Sequence, residues 1–330
     1  MPTLSVLDLA PVIQGATPAD ALHNSLDLAQ HVEQWGFKRY WVAEHHNMKG
    51  IASAATSVVI GHIAGGTSTI RVGAGGIMLP NHAPLVIAEQ FGTLASLYPD
   101  RIDLGLGRAP GTDQLTAHAL RRNLNSNADK FPDDVVELQH YFKPPQPGQA
   151  VVATPGAGVN VPLWILGSSL FGAQLAAVLG LPYAFASHFA PQEMMNAIAI
   201  YRDRFKPSEQ LQEPYVMLGY NVFAAETDEE AIYLRSSALQ AMLQLRRGTP
   251  VQLPPPIEDF ESQLTQQEQA MLEMITNCSA VGSVASVAQQ MQDFIARTGA
   301  DELMCVGSIY DHQKRVESFR LAAQARDSIS

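Results

Sequence analysis

The chain has 330 residues, 46% of them hydrophobic and 16% charged, with a formal net charge of −11. This composition suits a globular protein with a sizeable core, and the acidic balance argues against nucleic acid or an anionic membrane surface as a partner, because both are bound through basic patches. No apolar run approaches the ~18 residues of a membrane span, the N-terminus lacks the basic and apolar regions of a signal sequence, and the two cysteines, Cys278 and Cys305, have no metal-ligand spacing; the expectation is a reduced, cytoplasmic, soluble protein with no metal site.

Leu4–Leu9 reads as a first buried strand. A helix follows over Ala19–Trp35, with Thr17 as N-cap and Gly36 as its C-terminal stop. Arg39–Glu44 is the second strand, Ala54–Ala64 a helix of small residues, Ile70–Leu79 the third strand, Pro84–Tyr98 a helix and Arg101–Gly107 the fourth strand. A long polar segment, Ala109–Lys130, precedes a helix over Asp133–Phe142, and a Pro- and Gly-rich stretch, Lys143–Asn160, runs to the fifth strand, Pro162–Leu166. Helices over Phe171–Leu179 and Gln192–Phe205 flank a sixth strand, Tyr183–Ser187. The seventh strand, Tyr215–Ala224, leads to a helix over Asp228–Leu245, the Pro-rich excursion Gly248–Phe260 and an extra helix, Gln266–Thr276. The amphipathic helix Val284–Thr298, an eighth strand at Glu302–Val306 and a closing helix over His312–Ala325 complete the chain.

Eight strands separated by helices, without an internal linker or charge block, predict an α/β protein: one (β/α)8 TIM barrel spanning 1–330 as a single domain. Residues 109–130 and 248–277 are expected as insertions or lids at its C-terminal face. A doubly wound open sheet is the alternative, and the strand count and missing dinucleotide fingerprint weigh against it.

In a parallel barrel the chemistry collects at the carboxyl ends of the strands. The second strand ends at Tyr40-Trp41-Val42-Ala43-Glu44-His45-His46, four apolar or aromatic residues that stop at a carboxylate and two imidazoles. The bland reading is the polar start of a loop. The third strand, Val72-Gly73-Ala74-Gly75-Gly76-Ile77-Met78-Leu79-Pro80, carries glycine where a strand end keeps side chains. Either a flat ligand lies on that backbone or the strand bulges there. Asp103-Leu104-Gly105-Leu106-Gly107-Arg108 has the wrong spacing for a dinucleotide loop, but Arg108, just past a strand, is placed either to hold a phosphate or simply to face solvent. Ser168 and Ser169 open a helix, as caps or, through the free N–H groups there, as an anion site. Paired with Arg108, they point to phosphate binding. His188 follows the sixth strand and could enter the same mouth; His82 and Glu89 are weaker candidates, and no Ser-His-Asp order, HExxH or cysteine cluster supports a hydrolase or metal enzyme.

Taken together and in this order, these segments resemble the luciferase-like flavin monooxygenases over nearly the whole chain, with Gly180-Leu181-Pro182 and Val281-Gly282-Ser283 belonging to the same set. The resemblance implies a dimeric (β/α)8 barrel that uses reduced FMN, supplied by a separate flavin reductase, and O2 to oxidise a small molecule through a C4a-hydroperoxyflavin. It implies that His45 is the catalytic histidine protecting that adduct, and that Gly75-Gly76 are joined by a cis peptide beneath the isoalloxazine ring. It also implies that Arg108 and Ser169 contact the phosphate. Two positions depart from luciferase: Gly172, where a phosphate-binding hydroxyl is missing, and His188, where luciferase has a large aromatic, which points to a different substrate side. The rival expectations are a flavin- or deazaflavin-dependent dehydrogenase, separable by the oxygen dependence of turnover, and a non-catalytic flavin-binding protein.

Overall fold

The structure, a computed structural model, describes residues 1–109, 114–120 and 130–329. Its strands are β1 (Thr3–Asp8), β2 (Arg39–Val42), β3 (Arg71–Met78), β4 (Ile102–Gly107), β5 (Leu163–Gly167), β6 (Tyr183–Phe185), β7 (Val216–Ala224), β8 (Ser279–Gly282) and β9 (Glu302–Val306). All ladders are parallel. They run in order from β1 to β7, then β7 pairs with β9 and β9 with β1, which closes an eight-stranded barrel. The fold is therefore the single (β/α)8 barrel that the periodicity predicts, and its eight barrel strands are the eight read from the sequence.

The ninth strand, β8, is not among them. It pairs with the far half of β7, Asn221–Ala224, on the side where short β6 has already ended. Four small residues with one ladder partner leave no run long enough to signal a strand.

Outside the barrel lie α1 (Pro18–Gln34), α2 (Thr56–Gly66), α3 (Pro84–Leu97), α4 (Gln114–Leu120), α5 (Phe131–Phe142), α6 (Leu170–Leu179), α7 (Met194–Arg204), α8 (Asp228–Arg246), α9 (Gln266–Thr276), α10 (Val284–Thr298) and α11 (His312–Ser328). Thr17 caps α1 in a capping box with Asp20, and Gly36, at φ +73°, takes the left-handed turn beyond it. Helix α4 lies inside the expected polar segment. None of its residues is buried, so no apolar period marked it. The remainder of that lid expectation, residues 110–113 and 121–129, lies outside the described residues.

Side chains alternate along each strand, which sorts the barrel interior into layers. At the N-terminal end, Arg39 of β2 reaches Asp103 of β4 at 2.7 Å and Glu302 of β9 at 2.8 Å, and Arg71 of β3 holds the other Asp103 oxygen at 2.7 Å. Ser5 donates to Glu302, and the Trp41 indole N–H donates to Asp103 at 3.1 Å. Burial works against the Arg39 charge, and the two carboxylates outweigh it. Above this plug sits an apolar layer of Leu7, Trp41, Trp164, Met217 and Met304. The rings of Trp41 and Trp164 meet edge to face at 5.2 Å. The larger apolar core lies between the strands and the surrounding helices.

Candidate active site

The inward face of β2 runs Arg39, Trp41, Ala43, and the same alternation brings His45 into the C-terminal mouth. Glu44 therefore points the other way and is buried. Its Oε2 accepts the Met78 N–H at 2.9 Å, while His46 Nε2 and His82 Nε2 lie 2.8 and 2.9 Å from its Oε1. A carboxylate only accepts, so both imidazoles carry their proton on Nε2. Burial pushes the Glu44 carboxyl up, but the hydrogen bonds from His82, His46 and Met78 prevail and hold it below its ordinary value. Glu44 thus ties the His45 loop to the end of β3. Its organising part was not evident from the sequence, because the partner His82 is 38 positions away in the chain.

His45 keeps a buried Nδ1 with no hydrogen-bond partner. Burial lowers its pKa against the pull of the Glu44 charge, so the ring is neutral at pH 7. His188 enters the same region by the alternation Ala184, Ala186, His188. It is buried, its Nδ1 is likewise unpartnered, and burial, with a smaller effect from nearby His45, pushes its pKa down to about 4. Two neutral imidazoles thus share the mouth.

The Gly75–Gly76 peptide is cis, and the β3–β4 register shifts between Ala74 and Ile77. The bulge reading of this glycine pair holds, because the ladder is interrupted here; Gly75 also lines the interior cavity. Packing alone already demands glycine. A Cβ on Gly75 would stand 2.7 Å from Leu7, and one on Gly76 would stand 2.3 Å from Leu166. The surface they leave is bare backbone.

Arg108 follows β4, and its guanidinium lies 4.2 Å from the centroid of Phe171, in the first turn of α6. Ser169 is the N-cap residue of that helix, with extended backbone torsions, but its hydroxyl makes no capping bond. The first-turn N–H groups of α6, the hydroxyls of exposed Ser168 and Ser169, and a stacked guanidinium therefore converge on one patch. Capping does not account for these serines. Gly172 lies on the buried side of the same turn, where a Cβ would contact Tyr183 at 3.4 Å. Glu89 joins none of these groups and lies within α3.

The expected excursion at 248–260 crosses to the loops that follow β1 and β2. Leu253 N–H donates to the Val12 carbonyl at 2.9 Å, and the Leu253 carbonyl accepts from Gln14 at 2.8 Å. The Val251 carbonyl passes so close to Gly50 that a Cβ there would stand 2.4 Å away.

The arrangement fits a phosphorylated, planar cofactor. It has a helix N-terminus flanked by a guanidinium and two exposed hydroxyls, a side-chain-free backbone step, and two neutral imidazoles whose Nδ1 atoms lack protein partners. Among the described residues no group of His, Cys, Asp and Glu could hold a metal ion.

A family model described as luciferase-like monooxygenase matches residues 4–302. The chain is 54% identical to YvbT of Bacillus subtilis (strain 168) over 321 residues, 97% of this chain and 95% of that one. It is 51% identical to a luciferase-like monooxygenase of Escherichia coli (strain K12) over 325 residues, 98% and 97% of the two. An N-acetyl-S-alkylcysteine monooxygenase of Bacillus subtilis is 36% identical over 234 residues, 69% of each chain. The crystal structure of apo-MsnO8 matches with a TM-score of 0.88 at 35% identity over 99% of both chains. Two further solved structures share the fold at low identity. The oxygenating constituent of 3,6-diketocamphane monooxygenase from Pseudomonas putida, in complex with FMN, has a TM-score of 0.75 at 15% identity over 100% and 99% of the chains. An F420-dependent secondary alcohol dehydrogenase has a TM-score of 0.70 at 16% identity over 98% of both.

Proposed function

The chain belongs to the luciferase-like monooxygenase family, and on that premise we propose that it binds reduced FMN at the barrel mouth and uses O2 to oxygenate a small organic substrate. The observation that carries the FMN reading is the patch at the start of α6, where Arg108 stacks on Phe171 beside the uncapped Ser169. A guanidinium, free N–H groups and a helix dipole together suit a phosphate monoester. Bound there, reduced FMN supplies two electrons and the ring carbon at which O2 is activated.

The chain's own residues do the remainder. Arg108, Ser168 and Ser169 hold the phosphate and so set where the ring lies. Gly75 and Gly76 give that ring bare backbone to rest on. His45, kept neutral by burial, can accept or return one proton at its ring nitrogen beside the reacting atoms. Glu44 fixes the loop that carries it. The segment 248–277 acts as an insertion that restricts water at the mouth, a role supported by the tie between Leu253 and the loop after β1.

A separate flavin reductase supplies the reduced cofactor, in keeping with the lack of a Gly-rich dinucleotide fingerprint in the sequence. Dimerisation is proposed from the family relationship alone. Two buried, unbridged cysteines suit the cytoplasm. No helix is long and apolar enough to cross a membrane, among the described residues.

Anaerobic titration with reduced FMN, followed by rapid mixing with oxygenated buffer, tests this. Saturable binding and an O2-dependent absorbance transient, at least tenfold shorter-lived in His45→Ala with binding unchanged, is the expected result. Binding followed by direct reoxidation would favour a dehydrogenase, a reading to which the likeness to the F420-dependent enzyme lends weight; its turnover would not need O2. Absence of binding would sink the FMN assignment.

A further inference from the structure

The buried Nδ1 of His45 meets no protein group, so no hydrogen bond at that atom orients the ring. Its place is inherited from its neighbours. Glu44, the residue before it, and His46, the residue after it, are joined through the Glu44 carboxylate at 2.8 Å. The stretch that carries His45 is thus closed on itself. The same Oε1 takes the Nε2 of His82 at 2.9 Å, and Oε2 takes the Met78 N–H at 2.9 Å. Met78 stands two residues beyond Gly76 on β3, and His82 ends the single 3-10 turn Leu79–Asn81 that follows. One buried carboxylate therefore spaces His45 from the Gly75–Gly76 step.

This hub needs an acceptor-only group. A carboxylate has lone pairs for three donors, and each of the three bonds is strengthened by its charge. Without His82, Oε1 keeps His46 alone, and the Met78 N–H is the one printed tie left between Glu44 and the end of β3. A second carboxylate does comparable work at the other end of the same strand. Glu33 Oε1 accepts the N–H groups of Ser68, Thr69 and Ile70 at 2.8, 2.5 and 2.8 Å, and so staples the loop that leads into β3. It provides a control with the same chemistry away from the mouth.

We propose that His82 is a positioning residue for the oxygenase reaction: acting through Glu44, it sets where His45 stands relative to the Gly75–Gly76 step. This rests on the reading above, in which His45 handles a proton beside the reacting atoms, and it adds a residue from a different loop, 38 positions beyond Glu44. The patch formed by Arg108 and Ser169 belongs to other elements of the barrel, so FMN affinity does not depend on this tie.

Two readouts test it: long-range proton–nitrogen NMR of the imidazoles in the protein without FMN, and the lifetime of the O2-dependent transient in protein loaded with reduced FMN. In wild-type protein His46 and His82 should both show the Nε2–H tautomer. His82→Ala should move the His45 ring signals and shorten the transient by about tenfold or more, with FMN affinity within about twofold. His82→Gln, whose amide N–H group reaches the place of Nε2, should return the signals and restore most of the lifetime. His82→Asn falls short of Oε1 and should behave like alanine, which keeps the test in force if the alanine variant does not fold. Glu33→Gln should lower the unfolding midpoint and leave both readouts in place.

Unmoved His45 signals or an unchanged lifetime in both short variants would overturn the proposal, as would a glutamine variant no better than alanine. A parallel loss of FMN affinity, or an equal loss of lifetime in Glu33→Gln, would reduce His82 to a structural residue and overturn it equally. If wild-type protein gives no transient, the oxygenase reading falls, while the His45 signals and their rescue by glutamine still decide whether His82 positions that ring.

Discussion

At the N-terminal end of the barrel Arg39 meets both Asp103 and Glu302, and Arg71 takes the remaining Asp103 oxygen. At the C-terminal end His45 and His188 each keep a buried Nδ1 that no protein group satisfies. Both ends place ionisable side chains inside the same apolar tube, so burial alone cannot be the difference. Pairing is. Where the interior has only to hold together, each buried charge has its counter-charge. At the mouth the two buried Nδ1 atoms have no protein partner, and the rings are kept neutral by the surrounding apolar wall.

The contrast can be broken from either side. The largest expected effect is at the plug. Asp103→Asn leaves Arg39 and Arg71 short of a buried charge partner and should cost about 3–5 kcal/mol of stability, read by urea denaturation. FMN binding measured well below the unfolding transition should be unaffected. A cost under about 1 kcal/mol would mean that the plug contributes no more than a surface ion pair does.

At the mouth the pattern should invert. Arg108→Ala is expected to weaken FMN by about 1.5–3 kcal/mol, the range for a hydrogen bond to a charged group, and to leave the unfolding midpoint in place. Arg108→Lys should fall between, since an ammonium cannot reproduce the bidentate fork. Equal affinity in the alanine variant would remove Arg108 from the phosphate site.

The smallest effect sharpens the comparison by pH. The His188 pKa is about 4 in the folded protein against 6.5 unfolded. Between those values the unfolded chain binds more protons, so stability falls as pH drops from 6.5 towards 4. His45, also depressed, acts in the same direction. In His188→Phe the slope of stability against pH across that window should flatten by up to roughly one proton. Parallel wild-type and variant curves would refute the buried, neutral imidazole.

Much of this protein was legible before the structure. The eight barrel strands, the capped first helix and the strand-end positions of His45, Arg108 and Ser169 all follow from local signals: apolar runs, a Thr17 cap, a Gly36 stop. Strand β8 was not legible, because its pairing depends on where β6 ends, which is a property of the closed sheet. Helix α4 was hidden for the opposite reason, having no buried face to imprint a period. The part played by Glu44 could not be read either, since it depends on His82 and Met78 folding back onto it.

The sequence by itself determined the order and type of the elements, because periodicity and punctuation act over a few residues. Only the tertiary structure decided which strand-end residues meet. That Arg108 stacks at the start of α6, that Leu166 fills the space beside Gly76, and that Gly219 makes a seat for His188 all depend on barrel closure and register. Those contacts join residues dozens of positions apart, and a one-residue slip of any strand would turn its side chains to the other face.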